Sequence, residues 1–195
     1  MLLNCDARQL EWVCAMYWAQ DPVGMQEILN GIDIHGDNQT RFKLPSRLAA
    51  KTLCFKIIYG GGGYSFTTDP HTGPIGNEKF WYDTIEQFYQ KYKGLHAWHE
   101  RLYERVTLDR GQLDLPTGRS YTFSPYVQRS GERKYPRTKI LNYPVQGLAA
   151  DLMAIARVSL HKRIKALNFN GILWCNTVHD SCVLDIKPEI WLDTA

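Results

Sequence analysis

The chain is poor in the features that mark secreted or membrane-embedded proteins. Its five cysteines, Cys5, Cys14, Cys54, Cys175 and Cys182, contain no CxxC pair and are odd in number, which argues against a disulfide framework or a structural zinc site. No apolar signal segment opens the sequence, and no apolar run approaches the about 20 residues that a membrane-spanning helix needs. Reduced thiols, a cytoplasmic setting and no membrane partner are therefore expected. Internal repeats, low-complexity tracts and an obvious linker are missing as well, so a repeat array is not expected.

What is present is an ordinary globular mixture with an uneven charge pattern. The 195 residues are 44% apolar and 22% charged, enough for one hydrophobic core. Net charge is only +3, yet residues 1–40 carry six acids against one base, and residues 41–60 carry Arg41, Lys43, Arg47, Lys51 and Lys56 with no acid. Residues 101–139 hold nine bases against four acids, and Arg157, Lys162, Arg163 and Lys165 follow. Such segregation suits a polyanion held in a groove, although each cluster alone also fits a solvated helix face.

Periodicity predicts an α+β chain. Met1 to Asp6 reads as a short buried strand, followed by a helix from Ala7 to Tyr17 with apolar residues at Leu10, Val13, Cys14 and Tyr17. A short helix from near Pro22 ends at Asn30-Gly31, and residues 32–35 lead into a polar turn. Ser46 can cap a helix that runs from Arg47 to Tyr59 and stops at the glycines 60–63. Because that glycine run follows a helix, it reads as a C-cap and hinge, not as a phosphate-cradling loop. Residues 64–76 read as a loop, and Asn77 to about Leu108 as one aromatic-rich helical region. Glycine and proline signals then predict a β-ribbon. Gln146 to Lys165 carries a helical stripe of Leu148, Ala149, Leu152, Met153, Ala156, Leu160 and Ile164. Residues 172–178 and 182–186 are expected to form two strands around His179-Asp180, a hairpin with a carboxylate at its tip. His96 and His99 are spaced i, i+3 but stand among Trp81, Tyr82, Phe88, Tyr89 and Tyr92, which favours aromatic packing over zinc.

Arg47, Lys51, Phe55 and Tyr59 each follow the previous one by four positions. Each step of four overshoots a helical turn by about 40°, so the four fall on one slowly turning face. Two cations followed by two rings could clamp a nucleotide triphosphate. The same residues also suit a partly buried amphipathic helix with snorkelling bases. Asp6-Ala7-Arg8-Gln9 has the form of a capping box, with a carboxylate at the N-cap and Gln9 three positions on.

The segment from Arg47 to Gly60 resembles the fingers-helix motif of family A DNA polymerases, R-x-x-x-K-x-x-x-[FY]-x-x-x-Y-G. Cys5-Asp6-Ala7-Arg8-Gln9-Leu10-Glu11 is similar to the family's first palm motif and Val178-His179-Asp180 to its second. Asp33-Ile34-His35 and the run from Asn142 to Asp151 match further segments in the required order, and the wording from Ile28 to Arg47 is closest to the phage replicative branch.

This resemblance implies an antiparallel palm sheet, approximately residues 1–20 and 140–195, with a helical fingers and connecting region over approximately 21–139. The implied activity is template-directed addition of deoxynucleotides to a primer 3′-hydroxyl, with primer–template DNA and deoxynucleoside triphosphates as partners. Asp6 and Asp180 would hold two Mg²⁺ ions, for which Mn²⁺ can substitute, with the Ala7 backbone carbonyl as a further ligand. Phosphoryl transfer of this kind asks for hard oxygen ligands around a cation pair roughly 4 Å apart. Lys51 would act with the two aspartates in catalysis. Gln9, His35, Arg47 and Lys51 would contact the triphosphate, Glu11 would crowd the sugar 2′ position, and Phe55 would pack on the deoxyribose. Tyr59 and Gly60 would stand at the templating position. Arg137, Asn142, Gln146 and His179 would reach the DNA.

Some positions depart from the family pattern. Ser181 replaces the glutamate that usually follows the second aspartate, Thr138 stands where many members have an arginine, and Ala7 and Arg8 replace a tyrosine or serine. Thumb and exonuclease domains are expected to be absent from this chain. The resemblance therefore covers palm and fingers only, and a fragment or one piece of a split enzyme, with a second polypeptide supplying the thumb, is expected. A DNA- or partner-binding remnant without turnover, and an RNA-copying enzyme of the same palm design, are the rival readings.

Overall fold

The structure, a computed structural model, describes residues 1–166 and 171–188. Residues 167–170 and 189–195 of the expected palm region lie outside the described residues. The elements run β1 (Leu2–Asp6), α1 (Leu10–Ala19), α2 (Pro22–Leu29), α3 (Ile34–Arg41), α4 (Arg47–Ile58), α5 (Gly63–Thr67), α6 (Glu78–Lys91) and α7 (Lys93–Leu108). Four short strands follow, β2 (Gln112–Asp114), β3 (Ser120–Thr122), β4 (Tyr126–Val127) and β5 (Arg133–Lys134), then α8 (Arg137–Ala166), β6 (Ile172–Val178) and β7 (Ser181–Ile186). The chain divides into two compact units, a sheet unit of Met1–Glu11 with Gly147–Ala195 and a helical unit of Trp12–Gln146.

In the sheet unit three antiparallel strands lie in the order β1-β7-β6. Along β7 Cys182, Leu184 and Ile186 are buried while Asp185 is exposed, the two-residue alternation of a sheet with one covered face. The first strand is not buried as its apolar letters suggest. It sits at the sheet edge and pairs on one side only, so that only Leu3 of its five residues is even half-covered. A bulge interrupts the β6–β7 register between Trp174 and Asn176.

The helical unit is built on stacked and crossed rings. Trp12 meets Phe88 at 6.2 Å and Tyr92 at 5.2 Å, both edge-on, and Phe66 stacks on Trp81 at 4.7 Å. Trp12, Phe66, Trp81, Phe88 and Tyr92 are all fully enclosed, and each such side chain contributes about 1.5–3 kcal/mol on leaving water. Polar anchors then set the helix starts. The buried Asp21 carboxylate caps α2 by accepting from the amides of Val23 and Gly24, and its other oxygen accepts from Leu95 at the start of α7. That contact requires close approach, since a Cβ on Gly94 would come within 2.7 Å of the Asp21 Cα.

The same contacts explain why residues 77–108 form two helices and not one. At Tyr92 the backbone leaves helical geometry (φ −105°, ψ 69°), and the Tyr92 hydroxyl enters a buried polar cluster. Other sequence expectations also shift. Residues 32–35 lead directly into α3, and the 64–76 loop opens with the short α5. The last helix begins at Arg137, ahead of Pro144, which sits inside it and whose carbonyl accepts from the Trp18 indole at 3.2 Å. Proline removes one helical bond without ending the helix here. Leu152 and Ala156 of the expected buried stripe are exposed, whereas Leu148, Ala149 and Met153 are covered. Among the described residues, no helix is long and apolar enough to cross a membrane.

His99 packs inside the helical unit, its ring 5.2 Å from Trp98 and its Nδ1 3.0 Å from the Tyr89 hydroxyl, while His96 stacks on Tyr89 at 4.5 Å. Burial, reinforced by the Arg137 and His96 charges, pushes the His99 pKa down from 6.5 to about 3. The neutral ring is native, so the unfolded chain binds the extra proton. This contribution to stability is complete above pH 6.5 and is lost as pH falls from there toward 3, with a limiting slope of about 1.4 kcal/mol per pH unit. Urea unfolding across that window should show a shallower pH dependence in His99→Gln than in the native chain. Equal slopes would contradict the assignment.

Candidate active site

The sheet unit brings Asp6 and Asp180 together. Asp6 ends β1 opposite Ser181 of β7, and the amide of Ala7 donates to the carbonyl of Asp180 at 2.9 Å. His179 and Asp180 form the two-residue reversal between Val178 and Ser181, with His179 at φ 50° and the Ser181 hydroxyl donating to the Val178 carbonyl at 2.9 Å. Two carboxylates 174 positions apart in sequence thus sit on neighbouring strand ends. Among the described residues neither has an ion-pair or side-chain hydrogen-bond partner.

The capping box is not formed. Asp6 stays in the sheet, the chain turns through Gln9 at φ 56°, and α1 starts only at Leu10. The strand pairing holds the Asp6 backbone extended, so the left-handed Gln9 supplies the reversal that an N-cap would have supplied. Gln9 and Glu11 are half-buried in this unit, and His179 is exposed.

The donor set fits a hard divalent cation. Asp6 and Asp180 offer unshared carboxylate oxygens, and no group of three or more His, Cys, Asp or Glu side chains able to hold a metal occurs among the described residues. Such a pair holds a cation only when phosphates and water complete the shell, which is the usual manner of Mg²⁺.

In the helical unit α4 presents the expected face. Ser46 caps it by accepting from the Ala49 amide, and Ala49, Ala50, Leu53, Cys54, Ile57 and Ile58 bury the opposite side. On the open side Lys51 Nζ lies 5.7 Å from the Phe55 ring, Phe55 lies 6.4 Å from Tyr59, and His35 of α3 approaches Phe55 at 6.0 Å. His35 is buried with no hydrogen bond to Nδ1. Burial and then the Arg47 charge push its pKa down, which keeps the free ring neutral. The helix closes in a Schellman arrangement, with Gly60 at φ 74°, its amide bonded to Ile57 and that of Gly61 to Lys56. A Cβ on Gly60 would also meet Leu141 at 2.6 Å.

Arg47 is not a free cation. Its Nε and Nη2 bond the two Asp33 oxygens at 2.9 and 2.8 Å. Asp33 is the residue that sequence reasoning quoted in a motif but left without a role. Its signal is weak, an acid two positions before His35 and fourteen before its partner. Arg137 is likewise engaged, paired with Glu100 and lying over the Tyr103 ring at 5.2 Å. Lys139 and Gln146 are exposed, and Asn142 keeps a buried Oδ1 without a partner.

An α+β chain with an antiparallel sheet, two carboxylates at adjoining strand ends and a capped cation–aromatic helix has clear relatives. Residues 1–194 match the DNA polymerase family A model, and the chain belongs to that family. It is 30% identical over 198 residues to the thermostable DNA polymerase I of Thermus filiformis, with 97% of this chain and 23% of that protein covered. DNA polymerase I of Lactococcus lactis is 25% identical, with 97% and 22% covered. Among solved structures, the polymerase domain of Pol1 from M. smegmatis in complex with DNA primer-template and dNTP superposes with a TM-score of 0.83 at 18% identity, covering 98% of this chain and 34% of that one. This likeness shows a shared fold. The chain spans less than a quarter of the length of these two polymerase I relatives.

Proposed function

We infer that the chain is the template-directed nucleotidyl-transfer core of a DNA polymerase, adding deoxynucleotides to a primer 3′-hydroxyl. The observation that carries this reading is the backbone pairing that brings Asp6 and Asp180 to adjacent strand ends, where neither has an ion pair among the described residues. A cation shared by the two carboxylates would offset whatever repulsion they exert on one another. Held there with the Ala7 carbonyl as a further ligand, Mg²⁺ would supply charge neutralisation and a more acidic primer hydroxyl. In this reading the sheet unit is the palm and the helical unit contains the fingers.

The chain's own residues do the positioning. Arg47 and Lys51 hold phosphate oxygens, Lys51 countering charge that develops on the leaving group. Gln9 and His35 donate hydrogen bonds to the triphosphate. Phe55 packs against the deoxyribose, and Tyr59 and Gly60 shape the templating position. Asn142, Gln146 and His179 face the primer–template, with Arg137 available when its Glu100 contact opens. Glu11 occupies the space a ribose 2′-hydroxyl would need.

Primer extension by the chain with Mg²⁺ and deoxynucleotides, with and without chelator, tests the reading. Metal-dependent extension supports it. DNA retention with no extension at any Mg²⁺ concentration would leave a binding module instead. Replacing Glu11 with alanine should raise ribonucleotide use relative to deoxynucleotide use by roughly tenfold to a hundredfold, measured as the ratio of incorporation efficiencies. An unchanged ratio would remove Glu11 from the sugar site.

A further inference from the structure

We propose that Asp33 is a positioning residue for the triphosphate, holding the Arg47 guanidinium side-on so that its Nη1 edge stays open to phosphate. The inference rests on the reading of the α4 face as the triphosphate site. Its basis is the geometry of one ion pair. Asp33 engages Nε and Nη2 of Arg47 at 2.9 and 2.8 Å. Of the five guanidinium N–H donors this uses two and leaves three, two of them on Nη1. Arginine alone among the side chains can hold one anion on its side edge and another on its end edge in a single plane.

Three features indicate that the pair is built for this purpose. First, Asp33 stands at the N-cap position of α3 with no well-formed capping bond, and its carboxylate interacts more strongly with Arg47 than with the Gly36 amide of its own helix. Second, Arg47 opens α4, where the positive end of the helix dipole disfavours a cation unless an acid balances it. Both side chains are about half exposed, and an unpaired arginine there would sweep through many rotamers. Third, room for the carboxylate comes from a missing side chain, since a Cβ on Gly36 would lie 2.8 Å from Asp33 Oδ2. The pairing also keeps Asp33 ionised at every working pH, with its pKa lowered to about 2 chiefly by the Arg47 hydrogen bond.

The test is binding of dATP and dAMP to the full chain by calorimetry, in the native protein and in Asp33→Asn, Asp33→Glu and Gly36→Ala. The expected result is a loss of dATP affinity of about tenfold in Asp33→Asn, with dAMP affinity unchanged and most of the loss restored in Asp33→Glu. Gly36→Ala should lose dATP affinity in the same sense while its thermal midpoint holds or rises, because alanine favours the helix. Unchanged or tighter dATP binding in Asp33→Asn would overturn the proposal, since the carboxylate would then be neutral or a competitor for Arg47. Equal losses for dATP and dAMP would also overturn it. A native chain that binds dATP no better than dAMP would instead sink the α4 reading on which it stands.

Discussion

Asp180→Ala is expected to lose metal-dependent primer extension by at least about a thousandfold while the protein stays folded. The variant removes one of two acidic residues whose backbones the β1–β7 pairing and the adjoining turn bring together. A cation held by Asp6 alone keeps half its charge balance, and several kcal/mol of charge stabilisation in the transition state goes with the lost ligand, roughly 4 kcal/mol per thousandfold in rate. The fold should tolerate the change. Asp180 lies in the hairpin turn, only its backbone carbonyl is used by a neighbour, and Ala7 can still donate to it. The thermal midpoint without metal should therefore stay level. A variant that extends primers within tenfold of the native rate would show that Asp180 does not hold the catalytic cation.

Lys91→Met should destabilise the helical unit by about 3–5 kcal/mol, a fall of about 10 °C in midpoint for a domain of this size. Lys91 is almost wholly buried and binds Glu27 at 2.8 Å, Asp37 at 2.7 Å and the Asn38 amide oxygen at 2.9 Å. Tyr92 donates to the other Glu27 oxygen at 2.9 Å, and the Asn38 amide nitrogen reaches the Tyr92 hydroxyl and the Cys54 sulfur. This cluster ties α2, α3 and α6 beneath α4. Burial and the Glu27 charge raise the Tyr92 pKa, and burial pushes the Cys54 thiol up to about 12, so both stay neutral, Tyr92 donating to Glu27 and Cys54 accepting from Asn38. Methionine matches the length of lysine but leaves Glu27 as a buried charge with no cation. Adding Glu27→Gln to Lys91→Met should recover a large part of the loss. Recovery of none of it would mean that packing, not the uncompensated carboxylate, sets the cost.

Local features of the fold were legible in the sequence, and long-range pairings were not. Ser46 and Gly60 mark the two ends of α4, and the four-residue spacing of Arg47, Lys51, Phe55 and Tyr59 places them on its open face. Each depends on neighbours within a few turns. The β6–β7 hairpin was likewise visible, because its strands flank a short reversal. Asp6 and Asp180 meet through strand pairing across nearly the whole chain, which no local period encodes. Family resemblance implied that meeting where spacing could not. The false capping box has the same origin, since its letters are local while pairing with β7 holds Asp6 in the sheet. The break at Tyr92 depends on a tertiary partner, Glu27. Asp33 carries no role in the sequence because its partner Arg47 lies fourteen positions on, in another helix.

Shared possession of one divalent ion by Asp6 and Asp180 is best tested with Mn²⁺ as a paramagnetic probe of the backbone amide signals. The account predicts selective broadening of Ala7 and Ser181 at low Mn²⁺, strengthened by a deoxynucleoside triphosphate and abolished in both Asp6→Asn and Asp180→Asn. Broadening that survives both substitutions, or that centres on another acidic cluster such as Glu27 and Asp37, would contradict it.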